Sequence, residues 1–435
     1  MGDKGKAVVV GLGATGQAVA RHLVAEGWQV LIVEDRPDEG TAQAVHQLGA
    51  GLGTAADAAD ADLVVPSPGV PPGHPVHDVA SSAGVPVLSE VELAWRVRPS
   101  RPLVAVTGTN GKTTVTTLLA AMLVESGRTA VAAGNIGLPL IEAVHRDVDV
   151  VVAEVSSFQL QYTDSFRPSV AVWLNLAEDH FDWHPTMEHY AAAKRRIWAN
   201  QAGDDVAVAN AEDEAVLAAA GSAPARVVTF GLEKGDYRLD EGVLVGPEGS
   251  QIMPMDGLRR SLPHDVTNAL AATAAAEAVG ASLGACRAAL ATFDSLPHRL
   301  QLVLDSGGVR YYDDSKATTP ASVLAALRSF QTVVLIAGGR NKGLDLGVLR
   351  QEAHRLRAVV AIGEAASAVQ SAFAGAAPVT RAGSMGAAVA AARAAARPGD
   401  AVVLSPGCAS FDCYRSYVER GEDFVQAVRD LEALA

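Results

Sequence analysis

Aromatic residues make up only 5% of this 435-residue chain, and charged residues only 19%. Cysteine is scarcer still. Cys286, Cys408 and Cys413 form no C-x-x-C pair and no even set, which excludes a disulfide framework. They read as free thiols in a reducing compartment, buried as small hydrophobes. Positive charge is in deficit: 35 Lys and Arg stand against 49 Asp and Glu, a formal net charge of -14. A nucleic-acid binder needs a basic face, so that class is excluded. No apolar run reaches the ~20 residues needed to cross a bilayer. Residues 1–16 carry lysines and then an apolar run, as a secretory leader would. That run enters a glycine turn with no cleavage pattern after it, so it reads as a first strand. A soluble, cytoplasmic protein is expected.

What the chain does have is 49% hydrophobic residues, a globular composition, and length for roughly three domains. Strand-like and helix-like segments alternate. The first block holds strands at 7–10 and 29–33, with a helix between them whose apolar face is Val19, Leu23 and Val24. A Pro/Gly-rich stretch, 66–75, and a basic, proline-containing linker, 96–102, come later. The second block opens with a strand at 103–106, a loop at 107–113, and a helix placing Val115, Leu118, Leu119, Met122 and Leu123 on one face. Further strands are expected at 148–153, 169–174 and 205–209, and an alanine-rich helix at 268–279. The third block has strands at 309–312, 333–337, 359–362 and 401–404. Such alternation predicts an α/β protein with mostly parallel sheets and ligands beyond the carboxyl ends of the strands. Domains are expected at 1–98, 99–297 and 298–435.

Thr107 is followed by Gly108-Thr109-Asn110-Gly111-Lys112-Thr113-Thr114, between a strand and an amphipathic helix. Glycines let backbone N–H groups approach phosphate oxygens, and the helix start adds partial positive charge. Lys112 would reach the outer phosphates of ATP and the Thr113 hydroxyl would hold magnesium. Glu154, ending an apolar strand, could meet the same ion. His180 follows another strand and could be a metal ligand, whereas His184 and His189 read as surface residues. Lys194, in a helical stretch, reads by itself as a solvated helix lysine. Gly11, Gly13 and Gly16, with Glu34 and Asp35 beyond, form a dinucleotide fingerprint that by itself says only that a diphosphate could rest there. Segments 313–318, 338–343 and 405–412 mix small residues with charge, and each reads equally as an anion site or as a turn.

Taken together these residues resemble the Mur ligase family over essentially the whole chain. The phosphate loop is shared with folylpolyglutamate synthases, so three other segments discriminate. They are Glu154-Val-Ser-Ser-Phe-Gln-Leu160, Asp314-Ser-Lys-Ala-Thr318, and Ser405-Pro-Gly-Cys-Ala-Ser-Phe-Asp412 continuing to Arg420, Gly421 and Phe424. All three are similar to the branch that adds D-glutamate. The resemblance implies three domains: an N-terminal Rossmann-like UDP-binding domain, a central ATPase of P-loop type and a C-terminal Rossmann-like domain. It implies ATP-dependent addition of D-glutamate to UDP-N-acetylmuramoyl-L-alanine through an acyl phosphate, by a monomer. Ala14, Thr15, Glu34, Arg36, Ser67 and Gly69 would hold the UDP part, making the first block a UDP site rather than an NAD site. Asn135, Gly137 and His180 would contact the rest of that substrate. Thr113 and Glu154 would bind one magnesium ion and His180 a second. Lys194 would carry a carbamate that helps hold magnesium. Asn268, His298, Arg299 and Asp314 would contact ATP, with Lys316 on the transferred phosphate. Thr318, Lys342, Ser410, Phe411 and Tyr417 would line the D-glutamate pocket.

Two departures from the family pattern stand out. Asp265 replaces an asparagine near the adenine, which puts that contact in doubt because an ionised acid cannot donate. Thr319 replaces another asparagine, with little consequence expected. Among competing readings, an NAD-dependent oxidoreductase explains only the first block. A folylpolyglutamate synthase would lack the discriminating segments. A non-catalytic UDP-sugar sensor should have lost Lys112, Thr113, Glu154 or His180, and all are present.

Overall fold

The computed structural model describes residues 4–98, 100–181, 183–294 and 296–433. Two compact units separate. One contains residues up to Leu176 with Pro185–Arg259 and Val266–Thr292; the other contains Ala177–His184, Arg260–Asp265 and the chain from Phe293 onward.

The first unit opens with short apolar strands, of which Lys6–Val10 and Leu63–Pro66 are almost wholly buried. They form a four-stranded parallel sheet in the order Gly51–Leu52, Gln29–Val33, Lys6–Val10, Leu63–Pro66. The glycine turn after Lys6–Val10 therefore sits where the strand order reverses, with helix Ala14–Ala25 following it. Gly16 is required there: a Cβ on it would lie 1.9 Å from the Gly11 carbonyl oxygen.

A six-stranded sheet follows in the same unit, in the order Arg226–Phe230, Val206–Asn210, Val170–Trp173, Leu103–Thr107, Val150–Glu154, Ala130–Gly134, all parallel. Leu103–Thr107 is its reversal point. The helix after it, Lys112–Glu125, buries Val115, Leu118, Leu119, Met122 and Leu123, as its periodicity predicts. A three-stranded antiparallel sheet over Arg238–Asp240, Val243–Val245 and Gln251–Pro254 has no counterpart among the expected elements. Its strands are short and bounded by glycine, which weakens any alternation.

The second unit carries a six-stranded sheet ordered Gln301–Ser306, Val309–Asp313, Ala401–Leu404, Val333–Gly338, Leu356–Ile362, Val379–Arg381. The first pair is antiparallel and the rest parallel. The expected strands form, with displaced ends, so the α/β reading holds. The alanine-rich helix begins earlier than expected, at Pro263, because proline suits a first helical turn. No helix among the described residues is long and apolar enough to cross a membrane.

Three expectations are corrected. The 96–102 stretch is not a free linker: Arg96 lies inside helix Glu90–Val97 with its Nε 2.7 Å from Glu92. Arg101 donates to the carbonyls of Arg146, at 2.7 Å, and Val148. Pro99 is outside the described residues. Glu92 is fully buried and accepts from the backbone N–H groups of Asp164, Ser165 and Phe166. These bonds and the Ser165 hydroxyl outweigh burial and hold its carboxyl below the usual range. His184 is buried rather than on the surface, and its backbone N–H donates to the His180 carbonyl at 2.8 Å. Of the cysteines, Cys286 and Cys408 are buried, but Cys413 is exposed.

Candidate active site

Strand Leu103–Thr107 ends inside the central sheet, so the chain must turn sharply over its carboxyl end. Gly108 and Gly111 make that turn at φ 154° and 84°. Gly111 has no room for a side chain, since a Cβ would lie 2.6 Å from Asn268 Oδ1. Lys112 begins the helix and folds its Nζ back onto the carbonyls of Gly108 and Thr109, both at 2.8 Å. The loop is braced from the next strand: Asn175 Oδ1 accepts from the Asn110 N–H at 2.8 Å, and its Nδ2 donates to the Asn110 carbonyl at 3.1 Å. Thr113 and Thr114 lie in the first helical turn, where backbone N–H groups lack helical partners.

Lys194 is not the solvated lysine that its composition suggests. It is 1% exposed, and its Nζ donates to the Gly108 carbonyl at 2.8 Å, the oxygen that Lys112 also uses. Its helix, Met187–Arg195, presents Tyr190, Ala193 and Lys194 inward, and Ile197 and Trp198 continue the buried stripe. A lysine at a stripe position of that periodicity was the overlooked signal.

Glu154 ends the neighbouring strand, in register with Val106 on one side and Gly134 on the other. It is 2% exposed. Asn135 Nδ2 donates to its Oε1 at 2.9 Å, while its Oε2 is buried with no hydrogen-bond partner. An orphaned carboxylate oxygen is costly without a cation or donor to satisfy it. No group of three or more His, Cys, Asp and Glu that could hold a metal occurs among the described residues. The orphaned Glu154 oxygen fits Mg²⁺, which commonly takes one or two carboxylates and completes its shell with phosphate and water. Gly137, at φ 54°, has open space beside it.

In the first sheet, Glu34 accepts from the Leu12 N–H at 2.9 Å and Ser67 Oγ donates to the Gly11 carbonyl at 3.4 Å. Ala14 is exposed and Thr15 half-buried at a helix start whose cap makes no side-chain bond, and Arg36, after strand Gln29–Val33, is exposed. A Cβ on Gly69 would meet open space. The turn is thus tied together and its helix start is left open to a ligand.

The second unit gathers the remaining residues. His180, at φ 57°, has its Nε2 3.2 Å from Asp179, and Lys342 Nζ lies 3.8 Å from the same carboxylate. His298 and Leu300 also have positive φ, 62° and 45°, on either side of Arg299. Such strain in non-glycine residues persists only where surroundings fix it. Here the fixing is visible. His298 Nδ1 lies 2.6 Å from Asp313 Oδ2, and the Leu300 N–H donates to Asp314 Oδ1 at 3.2 Å. Burial pushes the Asp314 carboxyl up to about 7, against the Ser405 hydroxyl bond, which favours its ionised form. Lys316 Nζ sits 3.8 Å from the centre of the Tyr417 ring. Thr318 is half-buried, Ser410 buried and Phe411 63% exposed. Asp265 is engaged by Arg260 at 3.2 Å and His264 at 3.3 Å. Burial would raise its pKa, but these partners hold it below the usual carboxylate range, so it stays an acceptor. Thr319 caps helix Pro320–Arg328, a role its hydroxyl shares with asparagine. Asn175, Tyr190, Ser315 and Arg420 are structural members of these sites to which the sequence assigned no individual role, although Ser315 and Arg420 lie in the discriminating segments.

Comparison with known proteins bears on the whole chain. Residues 5–89 match the "Mur ligase MurD-like, N-terminal domain" family model, 106–276 the "Mur ligase middle domain", and 298–408 the "Mur ligase, glutamate ligase domain". A UDP-N-acetylmuramoylalanine–D-glutamate ligase of Frankia casuarinae is 44% identical, covering 98% of this chain and 94% of that one. A ligase of the same name from Desulfosudis oleivorans is also 44% identical, with coverages of 98% and 96%. Among solved structures, a pseudomurein peptide ligase type C from Methanothermus fervidus shares the fold with TM-score 0.63 at 16% identity, covering 98% of this chain and all 100% of that one.

Proposed function

The chain belongs to the Mur ligase family, and from that premise we propose how the residues described above carry out its reaction. The activity is ATP-dependent, ADP-forming amide-bond formation, joining D-glutamate to UDP-N-acetylmuramoyl-L-alanine in peptidoglycan precursor synthesis. The alanyl carboxylate oxygen attacks the γ-phosphorus of ATP, and the β–γ bridging bond breaks to release ADP. The D-glutamate amine then attacks the acyl carbon of the acyl phosphate and loses a proton, and inorganic phosphate departs.

Both steps concentrate charge on transferring oxygens, so preorganised cations carry most of the catalysis. Lys112 stands at the phosphate loop, and releasing its two carbonyl contacts lets Nζ reach the phosphates. Lys316 steadies the transferred phosphoryl group. Asn268, His298, Arg299 and Asp314 hold ATP. Ala14, Thr15, Glu34, Arg36, Ser67 and Gly69 hold the UDP part, and Asn135, Gly137 and His180 the sugar and peptide part. Thr318, Lys342, Ser410, Phe411 and Tyr417 receive D-glutamate. The reaction uses ATP and Mg²⁺. Magnesium neutralises phosphate charge when bound; Thr113 and Glu154 would hold one ion and His180 a second. We further propose that the Lys194 ammonium loses a proton and that its neutral Nζ then adds carbon dioxide, forming an N–C bond and releasing a second proton. The buried cation is thereby replaced by a carbamate anion. We place the domain boundaries at 1–98, 99–297 and 298–435, and the enzyme in the cytoplasm as a monomer.

The observation that supports this reading most is that Lys112 and Lys194 share the Gly108 carbonyl while the adjacent strand ends in Glu154, whose Oε2 has no hydrogen-bond partner. The decisive experiment measures phosphate release from ATP with UDP-N-acetylmuramoyl-L-alanine, offering D-glutamate, L-glutamate, L-lysine or diaminopimelate. Release is expected with D-glutamate alone. Release with another amino acid would overturn the acceptor assignment.

A further inference from the structure

Arg420, in helix Tyr417–Ala433, is 1% exposed, and its surroundings are unusual for a buried cation. Its Nε donates to Ser315 Oγ at 3.0 Å, its Nη2 to the Ser315 carbonyl at 2.8 Å, and its Nη1 to the Cys408 carbonyl at 3.1 Å. Among the described residues no carboxylate forms an ion pair with it; Asp412 and Asp313 act on it only at longer range. Burying a guanidinium without a carboxylate partner is costly, and packing alone would be served as well by an apolar side chain.

What the arrangement provides is a ring of connections. Ser315 Oγ, which accepts from Arg420, donates to the Tyr417 carbonyl at 2.8 Å. The loop after strand Val309–Asp313, the loop after strand Ala401–Leu404 and the start of the last helix are thus tied through one planar fork. Gly339 completes the enclosure, since a Cβ there would lie 3.1 Å from Arg420 Nη1. The tied segments carry Lys316, Thr318, Ser410, Phe411 and Tyr417, whereas Arg420 itself is enclosed among them.

We infer that Arg420 is a positioning residue for the amino-acid acceptor, its fork setting the spacing of the segments that bind D-glutamate. This rests on the acceptor reading given above. Lysine keeps the charge but is a single flexible point donor, so it cannot hold two carbonyls and a hydroxyl in one plane.

The test separates the two half-reactions. Acyl-phosphate formation is followed without D-glutamate by trapping with hydroxylamine, and the complete reaction by D-glutamate-dependent phosphate release. Arg420→Lys should raise the KM for D-glutamate by about tenfold or more while hydroxamate formation stays within about threefold of the parent. Ser315→Ala removes the hydroxyl link but keeps the carbonyl at that position, and should raise that KM by about threefold. It decides the matter if Arg420→Lys unfolds below the assay temperature. An unchanged KM for D-glutamate, or equal losses in both half-reactions, would overturn the positioning role. A parent enzyme that forms hydroxamate yet never responds to D-glutamate would instead defeat the acceptor reading itself.

Discussion

The phosphate loop at the central sheet and the strand-end loops of the last sheet both hold anionic groups in the proposed reaction, but by different means. At the central sheet the work is done by backbone. Gly108 and Gly111 take conformations that other residues avoid, and Lys112 and Lys194 close on a single carbonyl. At the last sheet it is done by buried side chains: Asp313 with His298, Asp314 with Ser405, Arg420 with Ser315 and Cys408. The phosphate loop is braced locally, by Asn175 and by its own carbonyls, even though Lys194 is buried against it. A side-chain lattice must desolvate charge, and that cost is written into the Asp314 carboxyl.

The largest effect should come from the backbone side. Lys112→Ala removes the cation of the phosphate loop, and turnover should fall by at least about a thousandfold. ADP formation near the parent rate would remove the phosphate loop from the mechanism. Lys194→Ala should cost about a hundredfold, and short carboxylic acids should restore part of the activity by occupying the space of the carbamate. Full activity with no response to added acid would mean that Lys194 serves only to brace Gly108.

This contrast also explains what could be read from sequence. A backbone cradle must be continuous, so Thr107 to Thr113 lie side by side and announce themselves. The same holds for the strand of valine and alanine that ends at Glu154. The side-chain lattice is assembled across the chain: Arg420 and Ser315 are 105 residues apart, and Ser405 and Asp314 are 91 apart. No local spacing connects them, and the resemblance supplied the ATP and D-glutamate roles that spacing could not. Lys194 lies between these cases. Its neighbours Tyr190, Ala193, Ile197 and Trp198 mark a buried stripe, but a lysine within it is normally solvated, and only the fold shows that it points at the loop. Glu92 was illegible for a different reason. An acid in the first turn of a helix is common on surfaces, and the donors at 164–166 that bury it lie over seventy residues away.

A smaller effect should follow from Gly421→Ala. In an open helix position this change adds about 1 kcal/mol of stability. Here the new Cβ would lie 2.2 Å from His298 Nδ1 and 2.7 Å from Asp313 Oδ2. Overpacking of that kind costs about 1–3 kcal/mol, so the melting temperature should drop despite the better helix former. The KM for ATP should rise with it, through His298. A variant as stable as the parent would show that the lattice yields easily, and the contrast with the rigid loop would weaken.

The last test reads the desolvation cost itself. The Asp314 carboxyl is pushed up to about 7 by burial, from an ordinary value of 3.8. The folded protein therefore binds this proton more tightly than the unfolded chain does. Its contribution favours folding below the ordinary value, declines as pH rises between the two values, and is fully lost above the folded one. Asparagine at 314 avoids the charge while keeping the contacts: its oxygen can accept from the Leu300 N–H, and its amide can donate to the Ser405 hydroxyl, which reverses to accept. Without nucleotide, Asp314→Asn should be more stable than the parent at pH 8 by about 2–4 kcal/mol, because each tenfold gain in proton affinity is worth roughly 1.4 kcal/mol. The advantage should shrink as pH falls and disappear near pH 4. Its KM for ATP should rise at the same time, because the acid retained at a cost in stability is the one assigned to the nucleotide. Equal stability across that pH range would mean that Asp314 carries no desolvation penalty, and that the two sites do not differ in the way proposed.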